Sequence, residues 1–253
     1  DTLNGGLGND TLIGGSGNDS LVGGGGVDRA DYSASTGPVS ANLASTLPQV
    51  ISVSEGTDTL AEIENVTGSG FADNLLGDVQ NNVFTGLGGD DFISGLDGFD
   101  SLEGGEGNDN LNGGLNADTL VGGNGNDTLA GGKGTDVMDG GDGNDSLIGG
   151  LGTDLLTGGA GTDRFSFRNS LDGTINVDTI TDFAPGVDVI ELSASIFGAF
   201  AGQIGATIGT NANLSYNNVT GMLAYDADGA GAGAAMNFAI LGAVTHPASL
   251  GSV

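Results

Sequence analysis

The 253-residue chain contains no cysteine, one histidine (His246) and only 4 Lys+Arg. Without cysteine, neither a disulfide framework nor a thiolate metal site can form. One histidine excludes a multi-histidine metal centre. The scarcity of cations removes the basic surface that nucleic acid requires, and with it attraction to an anionic membrane. No apolar run is long enough to span a bilayer, so no membrane insertion is expected. No HExxH, GxSxG or Cys/His pair occurs, and these residues read as non-catalytic, not an enzyme. The sequence opens at Asp1 without an initiator methionine or a signal peptide. Its first residues, DTLN, match the last four places of a repeat found further on, as expected of a piece cut from a longer array.

What the chain has is glycine (52 residues) and carboxylate (33 Asp+Glu), giving a net charge of −29. Such a composition favours disorder unless something organises it. The organisation is a nine-residue period. From Gly104 it reads GGEGNDNLN, GGLNADTLV, GGNGNDTLA, GGKGTDVMD, GGDGNDSLI, GGLGTDLLT, GGAGTD. The same frame holds in three blocks from Gly5 and in eleven from Gly68. Every block starts with glycine. The sixth place is aspartate everywhere but Asn82, and the eighth is Leu, Ile, Met or Phe everywhere but Ala30.

This period predicts an all-β fold, a parallel β-roll. In a three-residue strand only the middle side chain points to one face. The eighth place therefore faces a core, while places seven and nine face water. Two blocks make an 18-residue coil with strands on opposite sides and loops at opposite ends. One large apolar side chain per nine residues is a thin core for the entropy of ordering so much glycine. An external ligand has to supply the rest, and the loops offer only oxygen. Stacking aligns Asp73, Asp91, Asp109, Asp127, Asp145 and Asp163 along one edge. The other edge aligns Asn82, Asp100, Asp118, Asp136 and Asp154; the first array contributes Asp10, Asp19 and Asp28. Unneutralised, these ladders repel. Ca2+ takes six to eight oxygen ligands, tolerates irregular geometry and suits them better than Mg2+. About ten Ca2+ ions would bring the charge of −29 to about −9. The loops at Gly23 and at Gly77, which carries Asn82, are expected to bind weakly or not at all.

Between the arrays, residues 32–67 lose the pattern but span 36 residues, which equals four blocks. The expected domains are a first array over 1–31, a degenerate two-coil continuation over 32–67, the main roll over 68–166 and a C-terminal β-rich cap over 167–253. Strands are expected near Val39–Leu43, Val50–Val53 and Ile63–Val66, with Pro38 and Pro48 at turns or edges. In the cap, Phe165 and Phe167 alternate, and apolar residues from Val177 to Leu192 suggest short strands around a Pro185–Gly186 turn. Ser193–Phe200 suits a short helix. Leu214–Tyr216, Met222–Tyr225 and Met236–Leu241 suit antiparallel strands.

The block GGxGxDxUx, with U a large apolar residue, resembles the nonapeptide of the RTX ("repeats in toxin") family. The resemblance covers residues 1–163. GTDRFSFRNS, VDTITDFAPGVDVIELS and YDADGAGAGAAMNFAIL are similar to the C-terminal region of serralysin-like exported proteins. VDRADYSASTGPVSANL and DTLAEIENVTGSGFADNLLGD resemble an interruption in large RTX exoproteins. The resemblance implies a right-handed calcium-bound roll, and export through type I secretion machinery with an uncleaved C-terminal signal. It also implies that the protein is secreted, extracellular or at the cell surface, and folds there. It makes the sixth-place aspartates ligands, joined by the main-chain carbonyls of places two and four. Those carbonyls belong to Gly6, Gly8, Gly15, Gly17, Gly105, Gly107, Gly114, Asn116, Gly123, Gly125, Gly132, Gly134, Gly141, Gly143, Gly150, Gly152, Gly159 and Gly161. Asp182 and Asp188 are candidates for a final ion, two solvated turn carboxylates being the alternative. The terminal HPASLGSV lacks the acidic residue common in such signals. Asp226-Ala-Asp228-Gly229 looks like an EF-hand start, but Asn237 stands where the bidentate Glu belongs, so a hairpin turn is the better reading. His246 reads as a turn residue.

Three functions fit: a calcium-folded export module, a calcium-dependent adhesin, surface-layer or self-assembling component, and the tail of a secreted enzyme with its catalytic domain upstream. The partners expected are calcium, the export machinery, and a second copy or a cell-surface partner.

Overall fold

The computed structural model describes residues 1–168, 176–193, 214–217, 219–220, 222–225 and 236–241. Every regular element among them is a strand. The first array supplies β1 (Thr2–Leu7), β2 (Thr11–Leu12), β3 (Ser20–Gly25) and β4 (Arg29–Asp31). The faded stretch supplies β5 (Ser40–Asn42), β6 (Gln49–Ser52), β7 (Gly56–Ala61) and β8 (Asn65–Thr67). The main array begins with β9 (Asn74–Leu76), β10 (Val83–Gly88), β11 (Phe92–Asp97), β12 (Ser101–Glu106) and β13 (Asn110–Leu115). It continues with β14 (Thr119–Asn124), β15 (Thr128–Gly134), β16 (Val137–Asp142), β17 (Ser146–Gly152) and β18 (Leu155–Ala160). Beyond lie β19 (Arg164–Phe167), β20 (Asp178–Ile180), β21 (Val189–Leu192), β22 (Leu214–Asn217), β23 (Met222–Tyr225) and β24 (Met236–Leu241).

Successive array strands alternate between two faces, one carried by a 12-stranded sheet and the other by an 8-stranded sheet together with a 4-stranded sheet of order β1-β3-β7-β6. Even-numbered strands from β8 to β20 belong to the 12-stranded sheet, odd-numbered ones from β9 to β21 to the 8-stranded sheet. Within each sheet the array strands are parallel and one coil apart, as in Leu102↔Leu120 and Leu111↔Leu129. This is the expected parallel β-roll. Every eighth-place residue, from Leu12 through Leu75, Phe84 and Met138 to Phe165, lies in one continuous core. Each is at most 4% exposed.

The array strands are longer than the expected three residues. Most run six, from place seven through the glycine pair to place three, with burial alternating as in Ser101–Glu106. The alternation turns the first-place glycine inward beside the eighth-place residue. That inward slot is taken: a Cβ on Gly113 would collide with Asp118 Oδ2. Glycine opens each block because the sixth-place carboxylate occupies the space of its side chain. Place two is left-handed even where the residue is not glycine, at Leu87 (φ 81°) and Leu96 (φ 76°). The loop dictates that conformation at a cost of about 1–2 kcal/mol each.

The interruption departs from the two coils expected of it. In the 12-stranded sheet β4 pairs directly with β8, Arg29↔Asn65. Residues 32–67 therefore advance that face by one strand, where two coils would advance it by two. The surplus length lies on the other face. There β6 turns back antiparallel onto β7, and β5 pairs in parallel with β9. Strands lie near the three expected positions and β7 is an unexpected fourth; Pro38 and Pro48 lie outside them, and Tyr32, Val39, Ala41, Ile51, Leu60, Ile63 and Val66 join the common core. The length matched four blocks, but a hairpin consumes residues that a coil would have used.

At the far end, β19 and β21 extend the 8-stranded sheet and β20 the 12-stranded one. Phe165 and Phe183 close the core with ring centroids 6.2 Å apart. β24 pairs in parallel with β20, and β22–β23–β24 form an antiparallel meander. The cap thus prolongs a sheet of the roll. A turn with Gly186 at φ 86° stands at the Pro185–Gly186 position. The short helix expected after Ser193, the EF-hand-like residues at 226–229 and His246 lie outside the described residues. Among the described residues no helix is long and apolar enough to cross a membrane.

Candidate functional site

Loops leading from the 12-stranded to the 8-stranded sheet form one edge of the roll, here the first; the return loops form the second. Along each edge the sixth-place residues make a ladder. The N–H of each donates to Oδ1 of the residue one coil on: Asp73 to Asp91, Asp91 to Asp109, Asp109 to Asp127, Asp127 to Asp145 and Asp145 to Asp163. On the second edge the chain runs Asn82, Asp100, Asp118, Asp136, Asp154. These bonds measure 2.7 to 3.0 Å. The alignment expected from spacing is present on both edges.

Both ladders extend beyond the repeat, through residues the period did not single out. Asp154 donates to Asp178, Asp163 to Asp188, Asp19 to Asp58 and Asp28 to Glu64. The available signal was the run carboxylate–polar–apolar. Asp178-Thr-Ile and Glu64-Asn-Val reproduce places six to eight after 24 and 36 residues instead of 18.

Past Asp10, which only donates, one oxygen of each ladder carboxylate is thus engaged, and the second separates the residues into two groups. In Asp10, Asp19, Asp28, Asp91, Asp100, Asp109, Asp118, Asp127, Asp136, Asp145 and Asp154, Oδ2 is buried with no hydrogen-bond partner. A buried carboxylate oxygen without a donor is costly unless a cation or a proton meets it. Burial accordingly pushes Asp91 up to about 8 and Asp118 to about 7, despite the main-chain N–H that each accepts. It likewise pushes Asp100, Asp127, Asp136 and Asp145 to about 6. Asp109, Asp154 and Asp163 are also raised by desolvation.

In the second group the protein supplies the donors. Asp73 accepts from the N–H of Val39 and Ser69 and from Ser69 Oγ. Asn82 accepts from Asp78 N–H and donates its amide to the Glu64 carbonyl and to Asp78. Asp188 accepts from Asp163 and Ala184, and Asp182 from Gly158 and Gly159. Asp73, Asp182 and Asp188, candidate ligands by sequence, therefore have both oxygens in use. Asn82, expected to bind poorly, has a complete set of internal partners. Asp28, whose loop was expected to be weak, keeps an unpartnered oxygen and stacks on Glu64.

Carbonyl oxygens complete the first group's surroundings. A Cβ on Gly122 would meet both Asp127 Oδ2 and the Gly140 carbonyl, and the same pairing recurs at Gly131 and Gly140. Place-two carbonyls point along the stack at the next coil, Gly105 at Gly123 and Gly123 at Gly141. Place-four carbonyls do likewise, Gly107 at Gly125, Gly125 at Gly143 and Asn116 at Gly134. Added side chains there would strike them. Among the described residues no three acidic or histidine side chains converge on one point. Each site thus combines carboxylates from adjacent coils with main-chain carbonyls, a hard all-oxygen set that fits Ca2+. When bound, the ion supplies charge neutralisation and cross-linking of coils.

A search of curated proteins finds no match. A family model, the RTX calcium-binding nonapeptide repeat, matches residues 1–30, 67–102, 94–129, 103–138 and 130–165. These segments cover just over half of the chain and leave out the interruption and the cap, where the ladders run through other residues. Repeats of this family bind calcium, and the roll they build here is a structural rather than a catalytic module. With its stacked acidic loops and parallel roll, the chain belongs to the RTX calcium-binding nonapeptide-repeat family.

Proposed function

We infer that this calcium-binding roll is a folding switch within a secreted protein. At cytosolic calcium the coils repel one another and the chain stays extended enough to be threaded through type I secretion machinery. Outside the cell, sites of the 10⁻⁴–10⁻³ M class fill at about millimolar calcium, and binding free energy becomes folding free energy. The observation that carries this reading is the row of buried, unpartnered Oδ2 atoms, which makes the folded, ion-free state costly. Asp10, Asp19, Asp28, Asp91, Asp100, Asp109, Asp118, Asp127, Asp136, Asp145, Asp154 and Asp163 hold the ions together with place-two and place-four carbonyls. About ten ions follow if each bridges neighbouring coils. Residues 1–31 and 86–166 are the loaded arrays, 32–85 the ion-poor connection, and 167–253 the cap with the export signal; no catalysis is assigned to these residues.

Far-ultraviolet circular dichroism against calcium tests this. Dialysed, calcium-free protein at neutral pH is expected to show little β signal and to gain it cooperatively near millimolar calcium. A chain already β-rich in excess chelator sinks the mechanism.

A further inference from the structure

The two loop edges carry different chemistry at place three. On the first edge the row is Gly88, Glu106, Asn124, Asp142 and Ala160. Beside it at place five runs an amide ladder, in which Asn108 donates to Asp90, Asn126 to Asn108 and Asn144 to Asn126. This edge carries acidic and amide side chains, with Phe71 and Leu87 exposed at its start. On the second edge the place-three row is Val79, Asp97, Leu115, Lys133 and Leu151. Strand pairing fixes its order: Asp97↔Leu115, Leu115↔Lys133 and Lys133↔Leu151. Val79 is 76% exposed, Leu115 39% and Leu151 43%, and Phe99 in the same loops is 62% exposed. Exposed apolar side chains occur elsewhere too, at Leu7, Phe71, Leu87 and Phe92; what distinguishes this row is the two opposite charges set between its apolar members. Lys133 is the only lysine in the chain.

The row reads apolar, acidic, apolar, basic, apolar. It is its own complement when reversed about Leu115. We propose that the second loop edge binds a second copy of this chain, antiparallel, with a two-fold axis passing at Leu115. Leu115 then meets its equivalent, Asp97 faces Lys133 of the other copy twice, and Val79 faces Leu151 twice. This is the isologous arrangement that closed dimers use, in which one patch serves both partners. The charge order also rejects the parallel alignment, which would set Asp97 against Asp97 and Lys133 against Lys133. Five residues stacked about 4.8 Å apart span only about 19 Å from first to last, so the contact belongs to the small, weak class of interfaces. Its requirement is the stacked roll, whatever holds the coils together.

Sedimentation velocity on the full chain in saturating calcium tests it, with circular dichroism confirming that each variant is folded. The wild type is expected to self-associate with concentration. Lys133→Asp and Asp97→Lys each turn two attractions into two repulsions and weaken association about tenfold. Both introduce residues that place three already accommodates in other coils, Asp142 and Lys133. Mixing the two single variants re-creates both opposite-charge pairs, so the mixture is expected to associate about tenfold more tightly than either variant alone. Leu115→Asn, which copies Asn124 at the same place, removes the contact on the axis and is expected to abolish pairing. A wild type that stays monomeric to its solubility limit overturns the proposal, and so does a mixture of the charge variants that fails to recover association. Calcium-dependent folding without self-association leaves the folding switch intact and removes only this interface. A chain that is β-rich in chelator yet still shows the charge-swap recovery does the reverse.

Discussion

The regular array and the interruption solve one problem in two ways. Both align carboxylates from coil to coil, and both spend one of their oxygens on the main-chain N–H of the neighbouring coil, Asp58 and Glu64 doing so in the interruption. In the array the other oxygen faces carbonyls and has no donor, as at Asp109 and Asp127. In and around the interruption it is met by the protein itself. Tyr32 donates to Asp58, Ser69 to Asp73 and Asp78 N–H to Asn82. Ser35, Ser52, Ser54 and Glu55 tie the intervening turn together with hydroxyl contacts. The proposed ion sites thus coincide with carboxylates from which the protein withholds a second donor. Where a hydroxyl or amide is supplied, the same backbone stacks without needing a cation. The array is left with buried carboxylate oxygens that a cation or a proton can meet; the interruption has carboxylates satisfied by its own donors.

The comparison breaks most visibly with pH. Without calcium the array carboxylates fold with pKa values raised by burial, to about 8 for Asp91, about 7 for Asp118 and about 6 for Asp100, Asp127, Asp136 and Asp145. A raised carboxylate pKa means that the folded state binds protons more tightly than the unfolded chain. Its stability is fully present below the ordinary carboxylate range, near pH 4, and is lost as pH rises through 6 to 8. In calcium-free buffer the β signal is therefore expected to be larger at pH 4 than at pH 8. With calcium present the sign reverses, because protons compete with the ion, and the calcium midpoint is expected to rise as pH falls. A calcium-free chain more structured at pH 8 than at pH 4 contradicts the assignment of the unpartnered oxygens.

A smaller effect separates the regions residue by residue. Asp127→Ala removes the acceptor for Asp109 N–H and an ion-facing oxygen. It is expected to cost about 1–3 kcal/mol for the unpaired donor, to raise the calcium midpoint and to loosen two adjacent sites on the first edge. The second edge keeps its ions. Asp73→Ala strips acceptors from Val39 and Ser69 instead. Its cost is expected to be similar but independent of calcium. Thermal denaturation at several calcium concentrations distinguishes them: parallel curves for Asp73→Ala, diverging curves for Asp127→Ala.

The roll was legible because its period repeats two constraints that act locally, an apolar residue to bury and a carboxylate to align. Leu102, Leu120 and Asp109 announce themselves at constant spacing. The interruption was legible only in part. Its strands show as apolar alternation, yet nothing in residues 49–61 distinguishes a hairpin from a coil of equal length, since both need extended segments around a turn. The ladder members Asp58, Glu64 and Asp178 escaped for a related reason. They occupy the sixth place in space while their distances along the chain, 39, 36 and 24 residues from their partners, obey no period. Whether Asp73 faces an ion or a hydroxyl turns on Ser69, one residue that replaces a second-place glycine. A repeat alignment counts that as a minor deviation, whereas chemically it closes the site.

The finest distinction lies at Asn82, where the second edge passes from interruption to array. Its amide nitrogen donates to the Glu64 carbonyl at 2.8 Å and to Asp78, and its oxygen accepts Asp78 N–H. Asn82→Asp keeps the shape and the acceptor but deletes the donor, leaving a carboxylate against a carbonyl oxygen and the Asp78 carboxylate. In low calcium this is expected to destabilise the chain by about 1–3 kcal/mol. In high calcium the new oxygen set matches that of Asp100 and Asp118, so stability is expected to return and isothermal titration to count one more ion than in the wild type. A variant equally destabilised at every calcium concentration, with the ion count unchanged, means that donor supply alone does not decide which loops bind. The boundary between the two regions would then have to lie in the backbone, in Asp78 and Gln80, which stand at places two and four where most other loops carry glycine.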